Sequence, residues 1–251
     1  MKEIFRKLQQ EAIRIADRYP SPDFYRDFAE DIDRSRMFFN SDPIIGRLHI
    51  HVAGIIESDF GHGLDHVLEV ALDAGALTLI EGRRLECPEP LLIQRLRLAQ
   101  CAGLLHDIRR KEKKHAEAGA AAAETILRDY PFSDGEVSDI CRSIRNHEAF
   151  GENRTGESDT GAILSDCLYD ADKFRWGPEN FTRTIWGMVS FMDVSVDMFM
   201  SHYPRGMAFL EKVRSTFRTR TGKTYGPQFI DLGLAIGNDL YERIRTVYIK
   251  A

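Results

Sequence analysis

Apolar residues recur at three- and four-residue steps along nearly the whole chain, and that period fits helices rather than strands. Between Lys2 and Arg18 they fall at Ile4, Phe5, Leu8, Ala12, Ile15 and Ala16. Pro20 and Pro22 stop that helix; a short second one is expected over about Phe24 to Met37, and a third over about Pro43 to Ser58. Leu64 to Ile80 carries one stripe (Val67, Leu68, Ala71, Ala74, Leu77) closed by Gly82, and Pro90 to His106 carries another (Leu92, Leu96, Ala99, Ala102, Leu105). An alanine-rich helix runs from Glu117 to Leu127, and Ser133 with Glu136 forms a capping box that opens a helix reaching His147. A loop rich in Gly, Asn, Thr and Ser (Gly151 to Gly161) precedes a helix over Ala162 to Phe174. The last two helices are expected at about Arg205 to Thr219 and Pro227 to Ile249, parted by a turn at Thr221-Gly222-Lys223. Period-two alternation is hardly seen, and hairpin dipeptides between β-branched runs are missing. The expectation is an all-α, single-domain helical bundle, with a core at about 60–176 and N-terminal (1–59) and C-terminal (177–251) helices packed on it.

The functional signal is the placement of histidines and acids on those helices. His66 falls near the start of its helix, His106 and Asp107 end the next, and His115 begins the alanine-rich one. His147 ends the following helix, and Asp172 sits late in the one after. Polar residues at the ends of several apolar helices can meet in a bundle interior, as metal ligands do. Four imidazoles and two carboxylates suit divalent Mn, Fe, Ni, Co, Zn or Mg and disfavour Cu(I) or an iron–sulfur cluster. Such an ion lowers the pKa of bound water from 15.7 to about 7 and so supplies a hydroxide nucleophile. Adjacent helical side chains diverge by about 100°, so His106 and Asp107 can share one ion only at a helix end, where LLHDI places them.

These elements resemble the H…HD…D signature of the HD-domain metal-dependent phosphohydrolase superfamily. GHGLDHVLEV is similar to that family's first-histidine helix, LLHDI to its HD element, HAEAGAAAAETIL to the next helix, and DADK to the element holding the last aspartate. The resemblance covers about residues 60–176. It implies an all-helical fold in which His66, His106, Asp107 and Asp172 hold one ion. His115 and His147 match the extra histidines of two-metal members, in which Asp107 would bridge the ions. Arg110 stands where deoxynucleotidase-like members carry a glutamate, and it better resembles a phosphate-contacting lysine of other members. The GYP element of the cyclic-dinucleotide phosphodiesterase branch is missing after His147.

The run Arg109 to Lys114 carries five basic residues and one acid between the HD pair and His115. Arg109, Arg110, Lys111 and Lys114, with Lys173, are therefore expected to face an anionic substrate. Asp107, Arg110 and Lys173 are assigned the chemistry. His62 is an alternative to His66, and Asp170 an alternative to Asp172. His49, His51 and His202 read as structural or surface residues, and Asp166 as off the face of Asp172. Thr221-Gly222-Lys223-Thr224 echoes a phosphate-binding loop, but Phe217 stands where its first glycine is required.

Composition narrows the partners. With 34 Lys+Arg against 39 Asp+Glu the formal charge is −5, unlike a chain built to coat nucleic acid. No apolar run approaches the ~20 residues of a membrane span, and the charged first helix is not a signal peptide. Cys87, Cys101, Cys141 and Cys167 form no close pair, which suits structural thiols in a reduced cytoplasmic protein. The expected activity is hydrolysis of a phosphate ester or anhydride of a small nucleotide-like metabolite by a metal-bound hydroxide. A di-iron HD-fold oxygenase and a non-catalytic metabolite-binding module are the alternatives. Substrate, metal identity, one ion or two, and homo-oligomerisation stay open.

Overall fold

The computed structural model describes residues 2–56, 63–151, 159–192 and 194–247, and among these every regular element is helical. The helices are α1 (Glu3–Ala16), α2 (Asp23–Asp27), α3 (Ala29–Ser41), α4 (Pro43–Ile55), α5 (Leu64–Arg84), α6 (Glu89–Leu105), α7 (His115–Leu127), α8 (Asp134–Arg145) and α9 (Asp159–Phe174). A π-helical segment, Asn180–Thr184, runs into α10 (Ile185–Met192), followed by α11 (Val196–Val213) and α12 (Arg220–Val247). None of the described helices is long and apolar enough to cross a membrane. The four cysteines are free, three of them buried.

The centre of the bundle is the α5–α6 pair. Helix α5 is apolar nearly all round, burying Val67, Val70, Ala71, Ala74 and Leu77 among others, as a helix covered on every side must. It packs most extensively on α6, with α3 and α9 against other faces. Small residues bring the two helices close. A Cβ on Gly103 would lie 2.7 Å from the backbone nitrogen of Ala71, inside van der Waals contact. The same reason explains why Gly82 does not end α5, which continues to Arg84. The glycine is there to admit Leu92, whose Cδ1 would collide with a Cβ at that position.

One hydrophobic cluster joins Phe5 and Leu8 of α1, the α5–α9 core, and Phe229, Ile236 and Ile244 of α12. Phe174 at the end of α9 stacks on Phe229 with centroids 4.1 Å apart and planes 3° from parallel, and Phe24 of α2 leans on both. Beside this stack Arg175 is buried. Its guanidinium donates to Asp73, to the Tyr25 hydroxyl and to Glu179 Oε2 (2.7 Å), tying the end of α9 to α2 and α5. The late part of α9, which carries Asp172, is thus clamped from two sides.

Several boundaries differ from the sequence expectation. The segment around Phe24 to Met37 is two helices, broken at Phe28. The Ser133–Glu136 capping box is present, and α8 stops two residues before His147. Thr221-Gly222-Lys223 is no turn but the first turn of α12, and Pro227 lies inside that helix. The cause is a tertiary cap. Asp170 on α9 accepts hydrogen bonds from the backbone of Arg218 and Thr219 (both 2.8 Å) and from the Thr219 hydroxyl (2.7 Å), satisfying donors just ahead of α12. Pro204 likewise lies within α11, which starts at Val196 rather than near Arg205.

Candidate metal centre

Five elements deliver the expected ligands to one place. His66 is in the first turn of α5, His106 and Asp107 follow directly after α6, His115 opens α7, His147 lies just past α8, and Asp172 is in the last turn of α9. All but His115 are buried. The Nε2 of His66 is 3.3 Å from His106 Nε2, 3.3 Å from Asp172 Oδ1 and 3.7 Å from Asp107 Oδ2. His106 Nε2 is 3.5 Å from Asp107 Oδ2 and 3.8 Å from Asp172 Oδ1. The other carboxylate oxygen of Asp107 serves a second group: Oδ1 is 3.5 Å from His147 Nε2 and 3.8 Å from His115 Nε2, which are themselves 3.2 Å apart. Two triads, His66–His106–Asp107 and Asp107–His115–His147, therefore share one aspartate.

Backbone carbonyls fix the tautomers. His106 Nδ1 donates to Gly103 O (2.8 Å) and His147 Nδ1 to Ile144 O (2.6 Å), so each turns an Nε2 lone pair inward. His115 Nδ1 lies 3.0 Å from Glu148 Oε1, with the same consequence. Burial pushes the His106 imidazole down to about 3, against the pull of Asp107 and Asp172, and keeps it neutral near pH 7. His115 is lowered to about 4 by burial, then by Arg110 and His147. Burial alone would raise the Asp172 carboxyl, but the Lys173 ammonium and His66 outweigh it and hold it well below its ordinary value. Lone pairs and carboxylate oxygens converging in a dry site are what a divalent cation requires. Ligand atoms about 2.1 Å from an ion stand about 3.0–3.4 Å from one another. The observed separations need to contract by only a few tenths of an ångström, so the residues fit an ion.

The expected cations distribute unevenly. Arg110 is at the centre: its Nη1 is 2.7 Å from His115 Nε2 and 3.8 Å from Asp107 Oδ1. Lys111 borders the cleft that opens from the site. Arg109 is exposed and faces Glu112 at 3.7 Å, and Lys114 is an exposed left-handed residue (φ 58°) before α7; neither lines the cleft. Lys173, expected against substrate phosphate, is only 2% exposed. Its ammonium donates to Asp172 Oδ2 and to the carbonyl of His147 (2.9 Å), lying over the Tyr169 ring. Asp170 faces away, toward the start of α12, and His62 lies outside the described residues. Sequence reasoning passed over Glu148, adjacent to His147 and set on His115, and Arg175, whose basic character gave no hint of burial.

Residues 63–176 match the family model of the HD domain. The chain carries an HD domain. The matched segment of this HD domain includes all six convergent residues and ends at Trp176, at the edge of the cleft. A crystal structure described as a predicted HD superfamily hydrolase from an uncultured Thermotogales bacterium is similar over 86% of this chain and 95% of its own, with 21% identity and a TM-score of 0.45. No curated protein matches the chain.

Proposed function

We propose that this HD-domain protein is a metal-dependent phosphohydrolase cleaving a phosphate ester or anhydride of a small metabolite. The observation that carries the reading is Asp107, whose two carboxylate oxygens each face a separate pair of histidines at 3.5–3.8 Å. His66, His106, Asp107 and Asp172 would hold one ion, and Asp107, His115 and His147 a second. Bound divalent ions supply Lewis-acid stabilisation of a phosphoryl group and a water of lowered pKa. The remaining work belongs to the chain. Lys173 occupies Asp172 Oδ2, leaving Oδ1 turned toward His66 and His106, and acts as a positioning residue. Glu148 orients His115. Arg110, with its fork of donors, and Lys111 border the cleft where an anion enters, and their charge stabilises the negative charge on the phosphoryl oxygens. Trp176 and Phe209 wall the approach and limit water.

The same ligand set would serve a di-iron oxygenase, and metal content separates the two. Protein purified without added metal or chelator is analysed for its ions, then loaded with Mn and assayed on a panel of phosphomonoesters and nucleotides. Hydrolysis lost in Asp107→Ala is the expected result. Equal turnover by both proteins refutes the reading, and two irons per chain with O₂-dependent turnover moves it to the oxygenase.

A further inference from the structure

The centre opens into a cleft of about 620 Å³ whose two ends differ in chemistry. His66, Arg110, Lys111 and His115 border one end; Ile185, Met188 and Leu210 border the other. That apolar end shares Asn180, Ile185, Met188, Gly206 and Leu210 with an adjoining pocket of about 360 Å³ between α10 and α11. Among the described residues, no Asp, Glu, Lys or Arg lines the adjoining pocket. Asn180, His202 and Tyr203 are the polar side chains among its described lining; the Tyr203 hydroxyl donates to Gly237 O (2.9 Å), and His202 Nδ1 donates to Met198 O (2.9 Å). Four of the protein's seven methionines, Met188, Met192, Met198 and Met207, are among its lining. Unbranched thioether chains form an adaptable apolar surface. The π-helical segment adds an independent sign, because such turns concentrate at functional sites and this one sets Asn180 and Thr184 in the cleft wall.

A nucleoside does not suit such a wall. Its ribose hydroxyls and base edges need partners, and burying them without any is costly. A hydrocarbon needs none. We infer that the substrates are phosphate monoesters of apolar alcohols, the phosphate at the His–Asp cluster and the hydrocarbon in the methionine-lined pocket. This rests on the phosphohydrolase reading above. The reaction is balanced by water alone: its oxygen forms a new bond to phosphorus, the ester P–O bond breaks, and the departing alcohol oxygen takes up the proton.

The test is calorimetric titration of the Mn-loaded full chain with alkylphosphonates from methyl to octyl, which bind without being cleaved. Affinity is expected to rise about fourfold per methylene, the ~0.8 kcal/mol of a buried CH₂, and to level off once the pocket is filled. Gly206 lines both cavities, and a Cβ there meets nothing within 4 Å. Gly206→Leu should therefore fold and flatten the chain-length slope. Methylphosphonate binding with no gain along the series overturns the inference and leaves the phosphohydrolase reading intact. A steeper gain from adenosine monophosphate than from octylphosphonate, or a Gly206→Leu change confined to self-association in sedimentation, overturns it as well. Failure of every phosphonate to bind, together with no phosphomonoester hydrolysis, removes both readings.

Discussion

The spacing between His66 and His106 depends on a seam in which no side chain intervenes. His66 rides five residues ahead of Ala71 on α5, and His106 follows Gly103 by three residues. Gly103→Ala places a methyl 2.7 Å from Ala71 N and 2.9 Å from Ala71 Cβ. The Cα of Ala71 lies closer still, and carbon contacts settle at about 3.5 Å, so the helices must part by about 1 Å. The obstacle is backbone and cannot rotate away, which puts the strain near the upper end of overpacking costs, about 3 kcal/mol. Replacing a mid-helix glycine returns about 1 kcal/mol. The net loss is about 2 kcal/mol, which for a chain of this size lowers Tm by about 4–8 °C. The same displacement widens the 3.3 Å gap between the two Nε2 atoms, and a shift of that size should cost about tenfold or more in metal affinity. Thermal unfolding of the chelated protein and competitive Mn titration measure the two effects. Gly46→Ala is the control, because its Cβ meets nothing within 4 Å; it should stabilise by about 0.5–1 kcal/mol. If Gly103→Ala behaves like Gly46→Ala in both assays, the seam does not set the ligand spacing.

Three further outcomes are expected. Lys173→Met leaves Asp172 buried without its countercharge and should destabilise the chelated protein by about 3–5 kcal/mol in urea; Mn should narrow that deficit, and an equal deficit with and without Mn would contradict the positioning role. Asp170→Ala removes the cap on α12 and should cost about 2–3 kcal/mol while leaving Mn affinity unchanged, whereas a loss of Mn affinity would restore Asp170 as a ligand. His106 titrates at about 3 when folded against about 6.5 unfolded, so its contribution is complete above pH 6.5 and is lost as pH falls toward 3. Between pH 8 and pH 5 the chelated protein should lose about 2 kcal/mol from this group, and His106→Asn should remove that part of the slope in urea titrations.

The convergence of these six residues was legible because each sits at a helix end that local signals mark: an apolar stripe ending at Leu105, an alanine-rich run after His115, a capping box ahead of His147. What escaped sequence reading is set by distant partners. The start of α12 depends on Asp170, fifty residues upstream, so Thr221-Gly222-Lys223 looks like a turn and folds as a helix. Lys173 reads as a substrate-facing cation because nothing local shows that Asp172 and the His147 carbonyl will enclose it. The apolar cleft wall comes from Met188, Gly206 and Leu210, whose helical spacing is the same whether they face a core or a ligand. The π-helical turn at Asn180–Thr184 has no compositional mark at all.

On the proposed reading, Lys173 and Arg110 would also govern the order in which the protein takes up what it binds. The two carboxylates proposed as ligands, Asp107 and Asp172, already face two cations, Arg110 and Lys173, so the four charges are even as folded. An even centre attracts a phosphate dianion weakly. A divalent ion makes it positive, and only then does the cleft favour an anion. On the proposed phosphohydrolase reading, occupancy would be sequential, ion before phosphate, and the chelated protein should be nearly blind to its anionic ligands.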